Sequence, residues 1–251
     1  MTSSSSSSSP RRSRRRSLTA VAAIVAAAAT AVFAFTLDAP ERRDAAKPDS
    51  PVVSTESATP ESADESLLAL ARRDGGDALA VGKADAPVVM IEYSDFQCPF
   101  CGRFARETEP ALLRSYVDKG VLRIEWRNFP VFGEESEQAA LAGWAAGRQK
   151  KFWDFHKVAY GEPRERNQGE FSQDRLVSMA REAGVADLDR FRSDMASDEA
   201  RSAVRKDQAE GYGLGVTSTP AFLINGKPVL GAQPTATFEQ VIDAAAKAAR
   251  R

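Results

Sequence analysis

The sequence predicts an α/β domain over residues 78–251, with a helical stretch set between two groups of strands. Three observations carry that expectation. The apolar and β-branched run Val88 to Tyr93 reads as a buried strand and leads into Cys98-Pro99-Phe100-Cys101. Val121 to Phe129 alternates as another strand, so a strand-helix-strand unit surrounds the cysteines. Far downstream, Thr219-Pro220 precedes two short apolar runs flanking Asn225-Gly226, whose tolerance of positive φ marks a tight hairpin.

Ahead of this domain the composition changes. Residues 1–17 hold the serine tract Ser3 to Ser9 and the cluster Arg11, Arg12, Arg14, Arg15 and Arg16, and read as a cytoplasmic tail. Residues 18–37 follow without a charge, about the twenty residues needed to cross a bilayer as a helix. Arginines stay on the cytoplasmic side, which places the rest of the chain outside the cytoplasmic membrane. The segment is either an uncleaved single-pass transmembrane anchor or a signal peptide cut after Ala29-Thr30-Ala31, which would leave a secreted protein. Residues 38–64, with Pro40, Pro48, Pro51 and Pro60 among polar residues, read as a disordered linker. Glu65 to Arg73 carries Leu67, Leu68 and Leu70 and is expected to form a short helix docked on the domain, ended by Asp74-Gly75-Gly76.

Within the domain, Ala78 to Val81 is a short strand and Val88 to Tyr93 a central one. A first helix is expected from Cys98 to about Asp118, kinked near Pro110 and closed by Lys119-Gly120. From about 133 to 215 the pattern is helical: Glu135 to Gln149, Phe152 to Tyr160, Ser172 to Ala183, Leu188 to Ala196 and Glu199 to Gly211, separated by Gly, Pro and Asn. Thr237 to Ala249 is a last helix with Phe238, Val241 and Ile242 on one face.

Charge and cysteine count narrow the chemistry. The net charge is −1, and no basic patch argues for nucleic acid. Two cysteines in so long a chain exclude a disulfide-stapled scaffold, and a lone C-x-x-C reads as one redox unit. A zinc site needs about four ligands, and His156 is the only histidine, so no metal and no cofactor are expected. With Pro99 in the first helical position, Cys98 sits at the helix N-terminus and the two Cα atoms lie roughly 5 Å apart, within disulfide range. The unpaired amides and dipole there favour a thiolate, so Cys98 is the expected nucleophile and the deeper Cys101 the resolving thiol.

The order of elements resembles the thioredoxin fold, and more narrowly the DsbA-like thiol-disulfide oxidoreductases, with a helical domain inserted. The resemblance rests on E-Y-S-D-F-Q-C-P-F-C at 92–101, R-N-F-P at 127–130, K-F-W-D-F-H at 151–156 and G-V-T-S-T-P-A-F-L-I-N-G at 215–226. It implies a cis Pro220 opposite the cysteines, with the Thr219 backbone, Pro99 and Phe100 meeting the client peptide. The alternative is an ordinary trans proline at a strand start. It also implies that Glu92 is buried beneath the dithiol and relays the proton of Cys101; the alternative is an exposed or salt-bridged glutamate. His156, Trp153 and Phe155 read as packing.

The implied activity is oxidation of cysteine pairs in exported proteins by a monomer, recycled by a membrane or extracytoplasmic redox partner. Reductase, isomerase and non-catalytic binding module remain alternatives. Strongly oxidising relatives carry Pro-His between the cysteines, and Pro99-Phe100 lacks that histidine.

Overall fold

In a computed structural model the described residues are 66–250. The tail at 1–17, the apolar segment at 18–37 and the linker at 38–64 lie outside them. Among the described residues no helix is long and apolar enough to cross a membrane.

Five strands form one sheet: β1 (Ala80–Val81), β2 (Val88–Ser94), β3 (Leu122–Asn128), β4 (Ala221–Ile224) and β5 (Lys227–Leu230). Their spatial order is β1-β3-β2-β4-β5. β2 runs parallel to β3 and antiparallel to β4, with Glu92 opposite Trp126 on one side and Phe222 on the other. Every residue of β2 is buried, because both faces of the central strand are covered and both edges are paired. β4 turns into β5 through Asn225 and Gly226, both at positive φ (44° and 80°), as a tight hairpin needs. Pro228, which has no N–H to donate, is accommodated on the edge strand.

Helix α1 (Pro99–Glu107) begins one residue after Cys98. The expected continuous helix to Asp118 is instead three segments: α1, α2 (Glu109–Leu112) and a π-helical turn at Leu113–Val117. Pro110 is the physical cause, since it lacks an N–H and its ring crowds the carbonyl four residues earlier. The break falls at Thr108, where ψ stays helical but φ departs to −105°.

Five helices connect β3 to β4: α3 (Glu134–Gly147), α4 (Phe152–Ala159), α5 (Gln173–Glu182), α6 (Leu188–Met195) and α7 (Asp198–Gly213). The apolar faces of α3 to α6 share one core in which Phe152, Phe155, Phe171, Leu176 and Phe191 are packed with Phe96, Trp126 and both cysteines, while α7 sets Ala200 and Val204 against Ala140 and Leu141 of α3. α8 (Thr235–Ala248) covers the sheet, placing Phe238 and Ile242 against Met90, Phe104 and Phe222.

The opposite face of the sheet carries charge. β3 alternates Leu122, Ile124 and Trp126 with Arg123, Glu125 and Arg127, and all six are buried. Glu125 accepts from Arg123 Nε and Arg127 Nη2, each at 2.9 Å, and Arg127 Nε donates to Glu210 Oε1 at 3.0 Å. The amides of Arg72 and Arg73 donate to the same Glu125 carboxylate at 2.9 and 2.8 Å. These bonds correct the expected helix from Glu65 to Arg73. Only 66–68 is helical among the described residues, and Glu125 takes the amides that a longer helix would use. α7 closes the same face at Gly211, where an added Cβ would meet the Phe129 ring at 2.6 Å.

A candidate dithiol active site

The turn that leads into the cysteines is held by Asp95. Its carboxylate accepts from the Gln97 amide at 2.8 Å, an Asx-type turn, and from the amides of Val131 (2.6 Å) and Phe132 (3.3 Å). It also accepts from Ser136 Oγ at 2.7 Å, so one buried acid ties the turn to the start of the helical insertion. Gln97 extends the tie by donating to Ser136 Oγ and accepting from the Asn167 amide at 2.7 Å. Tyr160 Oη donates to the Asp95 carbonyl at 2.8 Å. Asp95 and Gln97 were not singled out from sequence, although Asp two residues before an amide donor is a local turn signal.

Cys98 is the N-cap residue of α1, in an extended conformation, with Pro99 in the first turn. Both cysteines are free thiols, Cys98 nearly and Cys101 fully buried. The Cys98 thiol donates to the carbonyl of Thr219 at 3.3 Å, and the Thr219-Pro220 bond is cis. Thr219 and Pro220 therefore stand against the sulfur despite their distance along the chain.

The two thiols are pushed in opposite directions. Cys98 is pulled from 9.0 down to about 6, chiefly because Cys101 donates to its sulfur, with help from the Thr219 side chain and the amides of Cys101 and Phe100. Its contact with the Thr219 carbonyl favours the protonated thiol. The Thr219 hydroxyl has no partner among the described residues in that state and is available to the thiolate. Cys101 is pushed well above 9.0 by burial, then by the hydrogen bond it gives Cys98 and by the charge of that neighbour.

Glu92 lies on the face of β2 that also carries Val88 and Met90, the face turned toward α1. It is fully buried, and burial first, then the charge of Cys98, pushes its carboxyl up to about 8 against a hydrogen bond from Ser94. Its Oε2 has no partner among the described residues. Glu92 is thus not exposed, and it makes no salt bridge among the described residues.

A second buried acid, Glu109, was missed. Burial and then the charge of Glu92 push it well above 4.5, and its Oε2 lies 3.7 Å from His156 Nδ1. Glu109 lies eight residues after Cys101, a spacing that keeps two side chains near one helix face. A glutamate just before proline reads instead as an ordinary first-turn residue. His156 is packed among Trp126, Trp153 and Tyr160, and burial holds it down to about 3, so it stays neutral.

Phe100 is 54% exposed and is flanked by Arg103, 5.4 Å from the ring centroid. Beside it a groove of about 700 Å³ runs past Phe104, Ser218, Thr219, Gln233 and Pro234. Among the described residues no cluster of three or more His, Cys, Asp or Glu side chains is arranged to hold a metal ion.

Comparison with known proteins agrees with this geometry. A thioredoxin family profile matches residues 74–244. The chain is 33% identical over 150 residues to a probable disulfide bond formation protein D of Bacillus cereus, covering 59% of this chain and 69% of that protein. The crystal structure of oxidised BdbD from Bacillus subtilis superposes with a TM-score of 0.64 at 24% identity, covering 68% of this chain and 94% of that one. A thioredoxin-like oxidoreductase from Silicibacter pomeroyi superposes at 0.59 with 26% identity, over 68% and 97% of the two chains. The chain belongs to the thioredoxin family, as a DsbA-like thiol-disulfide oxidoreductase.

Proposed function

We propose that this chain oxidises cysteine pairs of exported proteins outside the cytoplasmic membrane, as a monomer. The observation that carries the direction is the asymmetry of the two thiols. A nucleophile near 6 lies between the roughly 7 of thioredoxin and the roughly 3.5 of DsbA, and a stabilised thiolate favours the reduced form of the pair. The disulfide form is then an oxidant, of intermediate strength.

In this cycle a client thiolate attacks Cys98 Sγ, the Cys98–Cys101 bond breaks, and Cys101 leaves as a thiolate that takes a proton from the Glu92 carboxyl. A second client thiolate attacks the client sulfur of the mixed disulfide. The client leaves oxidised, Cys98 is released as a thiolate, and two electrons now reside on the pair. A redox partner that presents its own disulfide, in the membrane or outside it, takes them back. The groove lined by Phe100 and Thr219 suits an extended client segment, and Pro99 and Pro220, their chain neighbours, would meet that segment close to the sulfur.

The uncharged segment at 18–37, preceded by arginines, supports export and a single-pass anchor; the cut after Ala31 is the alternative. The test is reoxidation of reduced, unfolded ribonuclease. Catalysis well above buffer is expected, and absence of gain together with insulin reduction would move the activity to reductase. For location, a mature N-terminus at Val32 disposes of the anchor.

A further inference from the structure

Behind the dithiol, three buried polar atoms have no partner among the described residues: Glu109 Oε1, Trp153 Nε1 and His156 Nε2. Their residues line a space of about 430 Å³, together with Arg106, Lys157 and Tyr160. Exchange between sulfurs uses none of them. Glu92 Oε2 is likewise unpartnered, and Glu92 lies within electrostatic reach of Cys98 on one side and Glu109 on the other. Buried groups of this kind are costly unless water or a transferred proton meets them.

We propose that Glu109 and His156 form a proton-transfer station connecting Glu92 to water in this cavity, so that the proton Cys101 gains on reduction enters from behind the dithiol. The proposal rests on the role given to Glu92 above. When the Cys101 thiolate takes the Glu92 proton, the Glu109 carboxyl returns one to Glu92. Glu109 is reprotonated from cavity water, with His156, 3.7 Å away, passing a proton between its two ring nitrogens. Apart from the Cys98 thiolate itself, no net charge is left in the core at any completed step.

Burial favours the protonated form of both acids and the neutral form of the imidazole, as such a chain requires. The charged and titratable groups facing it are Cys98, Cys101 and Arg106 from α1, Asp95 from the preceding turn, and Lys157 and Tyr160 from α4 and its end. Arg106 Nη1 is fixed on the Tyr160 carbonyl at 2.7 Å, so with Lys157 it offers positive charge on the cavity wall. Small carboxylates would be drawn to that wall.

The experiment is stopped-flow reduction of the Cys98–Cys101 disulfide by dithiothreitol in the full-length protein, which needs no client. Glu109→Gln keeps the shape of the side chain and removes the exchangeable acid. A fall of about tenfold in rate is expected, with a larger solvent deuterium isotope effect and recovery on adding formate. A wild-type rate and isotope effect overturn the proposal, and so does slowing that formate does not relieve, which marks a packing role. Where circular dichroism shows that Glu109→Gln does not fold, His156→Gln carries the same expectations. The wild-type rate comes first: a native disulfide that dithiothreitol cannot reduce strikes the functional reading itself, separately from the relay.

Discussion

The thiol of Cys98 donates to the carbonyl of Thr219 at 3.3 Å, joining residues 121 positions apart in the chain. The Thr219 hydroxyl has no partner among the described residues. Thr219→Val removes the donor that the thiolate would use. The Cys98 pKa is expected to rise by about one unit from its value near 6, and the potential of the pair to fall by roughly 30 mV. Titration of thiolate absorbance near 240 nm measures the first and equilibrium with glutathione the second. An unchanged titration shows that the amides and Cys101 alone hold the charge.

Phe100 projects into solvent at the start of α1 and contributes no charge to the neighbouring sulfur. Phe100→His places a titratable cation there. A further drop of about one unit in the Cys98 pKa is expected, with a potential about 30 mV more oxidising. A potential that stays within error of wild type means that the side chain at 100 acts through client contact alone.

Glu92 makes stability depend on pH in a definite direction. Its carboxyl ionises at about 4.5 when unfolded and at about 8 when folded, so the folded state binds the extra proton between those values. Stability from this group is complete below pH 4.5 and is lost as pH rises toward 8. Glu92→Gln removes that loss. Denaturant melts of the reduced variant and wild type are expected to differ little at pH 4.5 and to diverge toward pH 8, the variant gaining on the order of 4 kcal/mol. Parallel curves across that range would falsify the burial argument.

Arg127 is fully buried, and it donates to both Glu125 and Glu210. The Glu125 carboxyl is held down to about 2: burial alone would raise it, but the amides of Arg72 and Arg73 and the two arginines prevail. Arg127→Met leaves buried charge uncompensated and is expected to cost about 3–5 kcal/mol in chemical denaturation. Arg127→Met combined with Glu125→Gln should recover a substantial part. A double variant no better than the single one shows that packing of the guanidinium, and not its charge, is what matters.

The readable parts of the fold were those whose cause is local. Val88 to Tyr93 is apolar except for Glu92, Pro99 opens α1, and Asn225-Gly226 turns β4 into β5, each within a residue or two of expectation. The five helices between β3 and β4 were visible from the recurrence of Phe152, Leu176, Phe191 and their neighbours. Pro110 signalled a kink, and the structure turns it into a break at Thr108 with three segments in place of one helix. The alternation of Arg123, Glu125 and Arg127 along β3 looks from sequence like a face turned to solvent. Only the tertiary structure covers it, with residues 70–73 and α7.

At the site the division is similar. The sequence by itself determined the two cysteines, the expected order of their reaction and the helix start beneath Cys98, because amides and a dipole at a helix N-terminus act within one turn. It did not determine which groups from elsewhere meet them. Thr219 reaches the sulfur from the far side of the helical insertion, Asp95 holds the turn through partners at Val131 and Ser136, and Glu109 faces Glu92 from beyond a helix break. Burial sets the charge of these groups, and burial is created by segments remote in the chain. The expected chemistry of the dithiol was therefore legible, while the buried groups of the proposed proton path came together only in the folded core.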